Sequence, residues 1–424
     1  MMPLHRLAAR SAWSRRGTLL WVVVSIALAT LLMLSIERIR TDARASFRQA
    51  VSGTDLIVGP RTGSVQLLLY AVFRLGSATH NIRLDSLQDL ARHRAVAWVV
   101  PLSLGDSHRG FPVLGTQPAY FEHFRHGDRQ PLRLAQGRPF NAGLDGLFEA
   151  VLGAEVAQRE GHRLDQPIVL RHGGGQDLGT DHADKPFKVV GILARTGTPA
   201  DRTVHVNLES LSAVHLDWLA GAPLPGLRVP AEQARKFDLT PKEVTAALVG
   251  LKNRNAVFAV QREVAGHEPE PLMAILPGVA LDELWEVVGA GEQALLGISA
   301  LVAVVSLVGL MAVVLAGLNE RRRELAVLRA VGASPIHIGL LLAFEGLWIT
   351  LLGLLLGTAL MAALVVGAGA WLQSAWGVSL QLWPPTPTQL VVLVAVGAAG
   401  WVASAVPAWR AYRWSLADGL TPPP

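Results

Sequence analysis

Gln293–Leu318 reads QALLGISALVAVVSLVGLMAVVLAGL, 26 residues without one charged side chain. A hydrocarbon core about 30 Å thick is crossed by about 20 apolar residues of helix, so this run is long enough to span a bilayer. Glu292 closes it on one side and Asn319-Glu320-Arg321-Arg322-Arg323 on the other. Towards the N-terminus lies the charge-rich segment 37–288, and before it a second uncharged run, Thr18–Ile36. Arg15 and Arg16 precede that run; Glu37, Arg38 and Arg40 follow it. A cleaved signal peptide is the competing reading, but the run is long for such a core and no small-x-small site ends it. An uncleaved anchor is expected. Downstream, Ile336–Leu382 has only His337 and Glu345 as ionisable groups. It reads as one span, 338–372, and a turn-rich connection, 373–389, through Trp383-Pro384-Pro385-Thr386-Pro387. A fourth span is expected over 390–408.

The totals agree. Charged residues make up 17% of the 424, against about 25% in soluble domains, and mean hydropathy is +0.35. There is no cysteine, which removes disulfides, thiolate metal sites and cysteine nucleophiles. The formal net charge is +5, but outside 37–288 the arginines cluster at the ends of apolar runs, as membrane flanks do, rather than in a stripe with aromatics, which argues against nucleic acid. Lysine and arginine in short loops set orientation. Arginines occupy the N-terminal segment 1–17, the connection 319–335 and the tail 409–424. These segments are expected in the cytoplasm, with 37–288 and 373–389 outside.

The outer segment reads as mixed α and β. Strands are expected at 55–58, 97–100, 167–170, 188–193 and 203–208 from short apolar or alternating runs. Thr240-Pro241-Lys242-Glu243 has the form of a capping box. It predicts a helix through Ala246, Ala247, Leu248 and Leu251, followed by a strand over 256–264. Glu37–Ala50 continues from the first span, and Leu281, Leu284, Trp285 and Val288 have helical spacing leading into the second. Both predict stalk helices.

The connection 319–335 reads NERRRELAVLRAVGASP. Leu325, Leu328 and Val331 share a helical face, Gly332 suits a C-terminal stop, and Ser334-Pro335 suits the start of the next helix. Charge alone makes it an inside-positive loop. The wording Glu-Arg-x-x-Glu-Leu-Ala-x-Leu-Arg-Ala-x-Gly-Ala-Ser, over 320–334, resembles the signature of the FtsX-like, or MacB-like, permease family. Ala343-Phe-Glu-Gly346, Leu351–Gly357, Val406-Pro-Ala-Trp-Arg-Ala-Tyr-Arg413 and Leu416–Leu420 are similar to later family motifs. Gly53–Gly59 and Val189–Leu193 resemble the MacB-type periplasmic domain.

The resemblance implies four transmembrane helices with a large α/β (α+β) periplasmic domain between the first two. It also implies a non-catalytic permease subunit whose dimer binds cytoplasmic ABC ATPases and turns ATP-driven closure into movement of the periplasmic domains. Under it, 319–335 is the coupling helix and Glu320, Arg321, Arg323, Glu324, Arg329 and Gly332 are the docking residues. No Gly-x-x-x-x-Gly-Lys-[Ser/Thr] occurs and only 17 residues precede the first span, so ATP and Mg are expected on a partner chain, with no cofactor bound directly. A homodimer is preferred, with a periplasmic partner protein as a further candidate. Lipoprotein release, peptide or antibiotic efflux and metal-linked cargo stay open as substrate readings. A membrane-anchored envelope sensor or scaffold is the alternative class.

Three other features carry candidate roles. Glu345, near the inner end of span three, either reaches water at the interface or serves packing and coupling. Gly353-x-x-x-Gly357 permits close helix approach, in a dimer or within one subunit. Eleven of the thirteen histidines lie in 37–288; they read as solvated surface groups. His123 and His126 would share a helical face and form the one weak metal pair. No Gly-x-Ser-x-Gly or His-Glu-x-x-His occurs, and no catalytic residue is assigned.

Overall fold

The computed structural model describes residues 16–76, 80–173, 181–219, 222–223, 229–320, 327, 330, 332–376 and 380–413. The chain divides into two compact units, one comprising Met1–Ala43, Val288–Gln373 and Ser379–Pro424, the other Arg44–Val287 with Ser374–Val378.

The first unit is built on four long helices, α1 (Arg16–Ala50), α2 (Pro277–Glu320), α3 (Pro335–Trp376) and α4 (Pro387–Arg413). All four are long and apolar enough to cross a membrane. Inter-helix contact uses small residues, because apolar surface gains little by leaving lipid and close van der Waals approach does the work instead. A Cβ on Gly353 would come 2.6 Å from Ile26 Cγ2, and one on Gly357 would come 2.7 Å from the Ala27 carbonyl oxygen. The Gly-x-x-x-Gly pair of α3 therefore faces α1 of the same chain. Ser404 on α4 fills the notch at Gly346, and Thr350 that at Gly400. Ser25 and Ser306 link α1 to α2 through hydroxyls 2.7 Å apart, and Gln389 Nε2 donates to the Leu34 carbonyl at 3.2 Å. Near the outer end of α1, Arg38 Nε donates to Asp42 Oδ2 at 2.8 Å, with both side chains buried. Arg38 Nη1 also donates to the Pro384 carbonyl (2.8 Å), and the Gln381 N–H donates to Asp42 Oδ2 (2.9 Å).

The second unit is an α/β domain on an eleven-stranded sheet. Its strands are β1 (56–60), β2 (96–108), β3 (111–116), β4 (134–137), β5 (149–152), β6 (167–168), β7 (171–172), β8 (187–193), β9 (204–207), β10 (246–251) and β11 (272–275). The order along the sheet is β11-β1-β10-β2-β3-β9-β5-β8-β4, with β7 paired to β2 and β6 to β8. Pairing is antiparallel except β9 with β3 and β5 with β8. Alternate residues feed opposite cores: Ile57, Leu248 and Val100 enter one apolar cluster, Leu56, Val58, Val249 and Val96 another. The helix ends take part, with Phe47 of α1 stacked on Phe73 at 4.1 Å and edge-on to Trp285 of α2 at 5.4 Å.

Two sequence expectations fail here. Residues 246–251 are strand β10, not a helix, and 257–265 form a helix, not a strand. The run AALVGL is buried between β1 and β2, with six residue pairings to β2 and three to β1, and these outweigh a local capping signal worth about 1 kcal/mol. The strand expected over 256–264 is a helix because Val257, Val260 and Val264 follow i, i+3, i+7 spacing. Val260 and Val264 are buried while Phe258 is 67% exposed.

Candidate functional site

Most of the connection 319–335 lies outside the described residues, including Arg321, Arg323, Glu324 and Arg329. Glu320 is the last residue of α2. Gly332 adopts φ +103° with nothing within 4 Å of its missing side chain, a backbone conformation that glycine tolerates and other residues resist. Ser334 precedes α3 and Pro335 is its first residue. The His337 ring folds back on the helix start, with Nδ1 2.5 Å from the Ser334 hydroxyl and accepting the Ser334 N–H at 3.3 Å, while the His337 N–H donates to the Ser334 carbonyl at 3.0 Å. This satisfies donors that a helix start leaves open. Glu345 is only 3% exposed, so within the chain it packs inside rather than at an open surface.

The His123 and His126 pair does not form as expected. The helix Ala119–His123 ends at His123, Phe124 is extended, and Arg125–His126 is a strand, so no shared helical face exists. The His123 ring instead lies parallel to Trp98, centroids 4.8 Å apart. The expectation of solvated histidines fails more widely: His108, His162, His182 and His205 are all buried. His205 sits among Tyr120 and Phe121, and burial lowers it to about 3. His108 and His162 meet Nε2 to Nε2 at 2.9 Å.

Among the described residues, one group of His and carboxylate ligand atoms converges. Asp106, His172, His182 and His215 each bring one such atom, all within 4.8 Å of one another. Asp106 lies on β2 and His172 on β7, which pair in register at these two residues. His182 follows in the next described stretch, with its N–H donating to the Leu170 carbonyl at 2.9 Å. His215 caps the helix Leu208–Val214. His172 Nδ1 lies 2.9 Å from Asp106 Oδ1 and 3.0 Å from His215 Nε2; His215 Nε2 lies 3.6 Å from Asp106 Oδ1. Trp218 packs on all three rings, with centroids 4.7 to 5.3 Å away. Hydrogen bonding to Asp106 raises His172, whereas burial lowers His182 to about 4. The sequence did not reveal this group because its members come from separate elements. The signal available was the histidine enrichment, with two members ten residues apart.

These observations define a polytopic membrane protein carrying an α/β outer domain. Residues 17–266 match the MacB-like periplasmic core domain and residues 296–416 the FtsX-like permease C-terminal region. The chain belongs to the MacB-like, FtsX-like permease family, whose members are permease components of ABC-type transporters. No curated protein matches the sequence. Solved structures similar to it include the periplasmic region of MacB from Actinobacillus actinomycetemcomitans (11% identity, TM-score 0.35, 56% of this chain and 94% of that one). The extracellular domain of the noncanonic ABC-type transporter YknZ from Gram-positive bacteria is another (12% identity, TM-score 0.31, 52% and 98%).

Proposed function

We propose that this chain is the transmembrane subunit of an ABC-type export or mechanotransmission system in a bacterial inner membrane. It couples ATP hydrolysis on a separate cytoplasmic ATPase to movement of its periplasmic domain. The observation that carries the reading is the presence of both family regions in one chain, a periplasmic core domain at 17–266 and a permease region at 296–416. Two further features support it. Helices α1 and α2 each contain a membrane-length apolar stretch and a segment packed into the outer domain's core. Helices unbroken over that length transmit displacement well because every peptide group is hydrogen-bonded along the axis. The arginine-rich segments 1–17, 319–335 and 409–424 favour a cytoplasmic placement of both termini and of the coupling connection.

In this scheme the chain works as a homodimer, binds no cofactor itself, and leaves ATP and Mg to the partner. Glu320, Arg321, Arg323, Glu324 and Arg329 form the polar dock, and Gly332 ends its helix. Glu345 serves packing at the inner half of α3. The cargo is handled at the outer face, where a periplasmic partner protein also has room to act.

Co-expression and co-purification with a separate ABC-type ATPase subunit from the same source, followed by ATP hydrolysis in nanodiscs, tests the scheme. Complex formation and altered turnover are expected, and both are lost on Arg321→Glu with Glu324→Lys. If neither partner binding nor turnover changes with the unaltered protein, the sensor or scaffold reading replaces this one. If binding survives the paired reversal, the dock lies elsewhere.

A further inference from the structure

The outer domain holds a cluster of polar side chains whose hydrogen bonding is incomplete. Asp106 and His182 are buried, while His172 and His215 are half-buried. Buried polar atoms normally find partners, yet Asp106 Oδ2 and His182 Nε2 are both buried without a hydrogen bond.

Proton accounting sharpens the point. His215 Nδ1 lies 2.9 Å from the Leu211 carbonyl oxygen, which can only accept, so this nitrogen carries the proton. A neutral ring then presents Nε2 as a bare lone pair, and that lone pair faces His172 Nδ1 at 3.0 Å. His172 Nδ1 in turn faces Asp106 Oδ1 at 2.9 Å. One proton on His172 would have to serve two acceptors. His182 adds a further nitrogen within 4.8 Å of the rest. Such a convergence of lone pairs is what a cation resolves.

We propose that Asp106, His172, His182 and His215 form a binding site for a divalent transition-metal ion of the zinc class. Three imidazoles and one carboxylate are the donor set that such an ion prefers, whereas calcium and magnesium favour oxygen. Tetrahedral coordination at ordinary Zn–N and Zn–O lengths separates ligand atoms by about 3.3 Å; the separations among Asp106, His172 and His215, at 2.9, 3.0 and 3.6 Å, straddle that value, and all four ligand atoms lie within 4.8 Å of one another. The surroundings fit as well. The Leu211 carbonyl fixes the His215 tautomer in the way carbonyls orient metal-bound histidines. Trp218 packs against the three rings and lends the site an apolar wall. The part-exposed edges of His172 and His215 leave a route for the ion to enter. An ion there ties β2, β7, the stretch at 182 and the end of the helix Leu208–Val214 together, so loading changes how firmly that side of the domain is held. The site rests on outer-domain geometry alone and does not depend on ATPase coupling.

The test uses the full chain, free of any histidine tag, purified in detergent and stripped with a chelator. Calorimetric titration with Zn2+ in the presence of Mg2+ is expected to give one equivalent per chain. Co2+ in its place is expected to give the intense visible band of a tetrahedral ion. Asp106→Asn and His182→Gln should each weaken binding at least tenfold, and His172→Gln with His215→Gln should abolish it. His123→Gln with His126→Gln should leave affinity and stoichiometry unchanged. Zn2+ should raise the melting temperature of the unaltered protein, a readout that needs no variant to fold. The proposal is overturned if the unaltered protein neither binds Zn2+ stoichiometrically nor gains thermal stability from it. It is equally overturned if the double His172 and His215 variant keeps full affinity.

Discussion

Lys185 and Asp217 form an ion pair at 2.8 Å with side chains only 1% and 6% exposed. Burial alone would raise the Asp217 carboxyl; the Lys185 ammonium and the Val229 N–H outweigh it and hold the carboxyl below its ordinary value. Asp217→Ala strands the ammonium, which keeps the Val214 carbonyl at 3.3 Å and the more exposed Asp184 at 3.4 Å. Removing one partner of a buried pair costs about 3–5 kcal/mol. Asp184 supplies partial compensation, so the lower end, about 3 kcal/mol, is expected. For a domain of this size each kcal/mol moves the melting temperature by roughly 2–4 °C, giving a fall of roughly 6–12 °C. Lys185→Met with Asp217→Leu removes both charges and should fall within about 1 kcal/mol of the unaltered protein, since apolar replacement of a buried pair is often neutral. Near-ultraviolet circular dichroism of the full chain in detergent reads both. A single-variant shift under about 2 °C, or a double variant as unstable as the single, would show that water already screens this pair and would refute the reasoning.

Three other outcomes are expected. His205 falls to about 3 inside the fold against an ordinary 6.5, so the unfolded chain takes up the proton first. Its neutral ring stabilises fully above pH 6.5, and that stability drains as pH falls towards 3, by about 2 kcal/mol at pH 5. His205→Phe should flatten this part of the pH–melting profile, and an unchanged profile counts against it. Gly353→Leu or Gly357→Val drives side-chain atoms into Ile26 or Thr30. Overpacking of this kind costs about 1–3 kcal/mol, read as a lower melting temperature, and a neutral effect would place α1 and α3 further apart. Val260→Asp should destabilise by more than about 2 kcal/mol, while Phe258→Asp stays within about 1 kcal/mol. A strand over 256–264 would put both residues on one face and make them respond alike, so equal responses in a urea titration restore that reading.

Legibility in the sequence followed the range of the forces involved. The four long helices announce themselves because lipid demands about 20 apolar residues in a row, and Thr18–Ile36 and Gln293–Leu318 meet that locally. Strands β1 and β8 were visible for a similar reason, as short apolar runs over 55–58 and 188–193. Residues 246–251 were misread because their conformation is decided by pairing with 56–58 and 96–102, far away in sequence, while the capping signal at Thr240 is local. The Gly353-x-x-x-Gly357 motif advertised a close approach but not its partner, which is supplied by Ile26 and Thr30. The cluster of Asp106, His172, His182 and His215 was illegible because it depends on a two-residue pairing of β7 with β2 and on where one short helix ends. Histidine enrichment in 37–288 hinted at chemistry and pointed to the wrong pair.

The Arg38 and Asp42 couple near the outer end of α1 has a kinematic consequence. Each member holds one backbone group of the turn between α3 and α4, Arg38 the Pro384 carbonyl and Asp42 the Gln381 N–H. Charge-assisted hydrogen bonds shielded from water yield less readily than apolar contacts, which slide. The far end of the α3–α4 hairpin is therefore pinned to α1 at two points, while Gly353 and Gly357 hold α3 against α1 further along. Three of the four long helices gain a common handle, and a tug on α1 along its axis is also a tug on the turn that joins the other two.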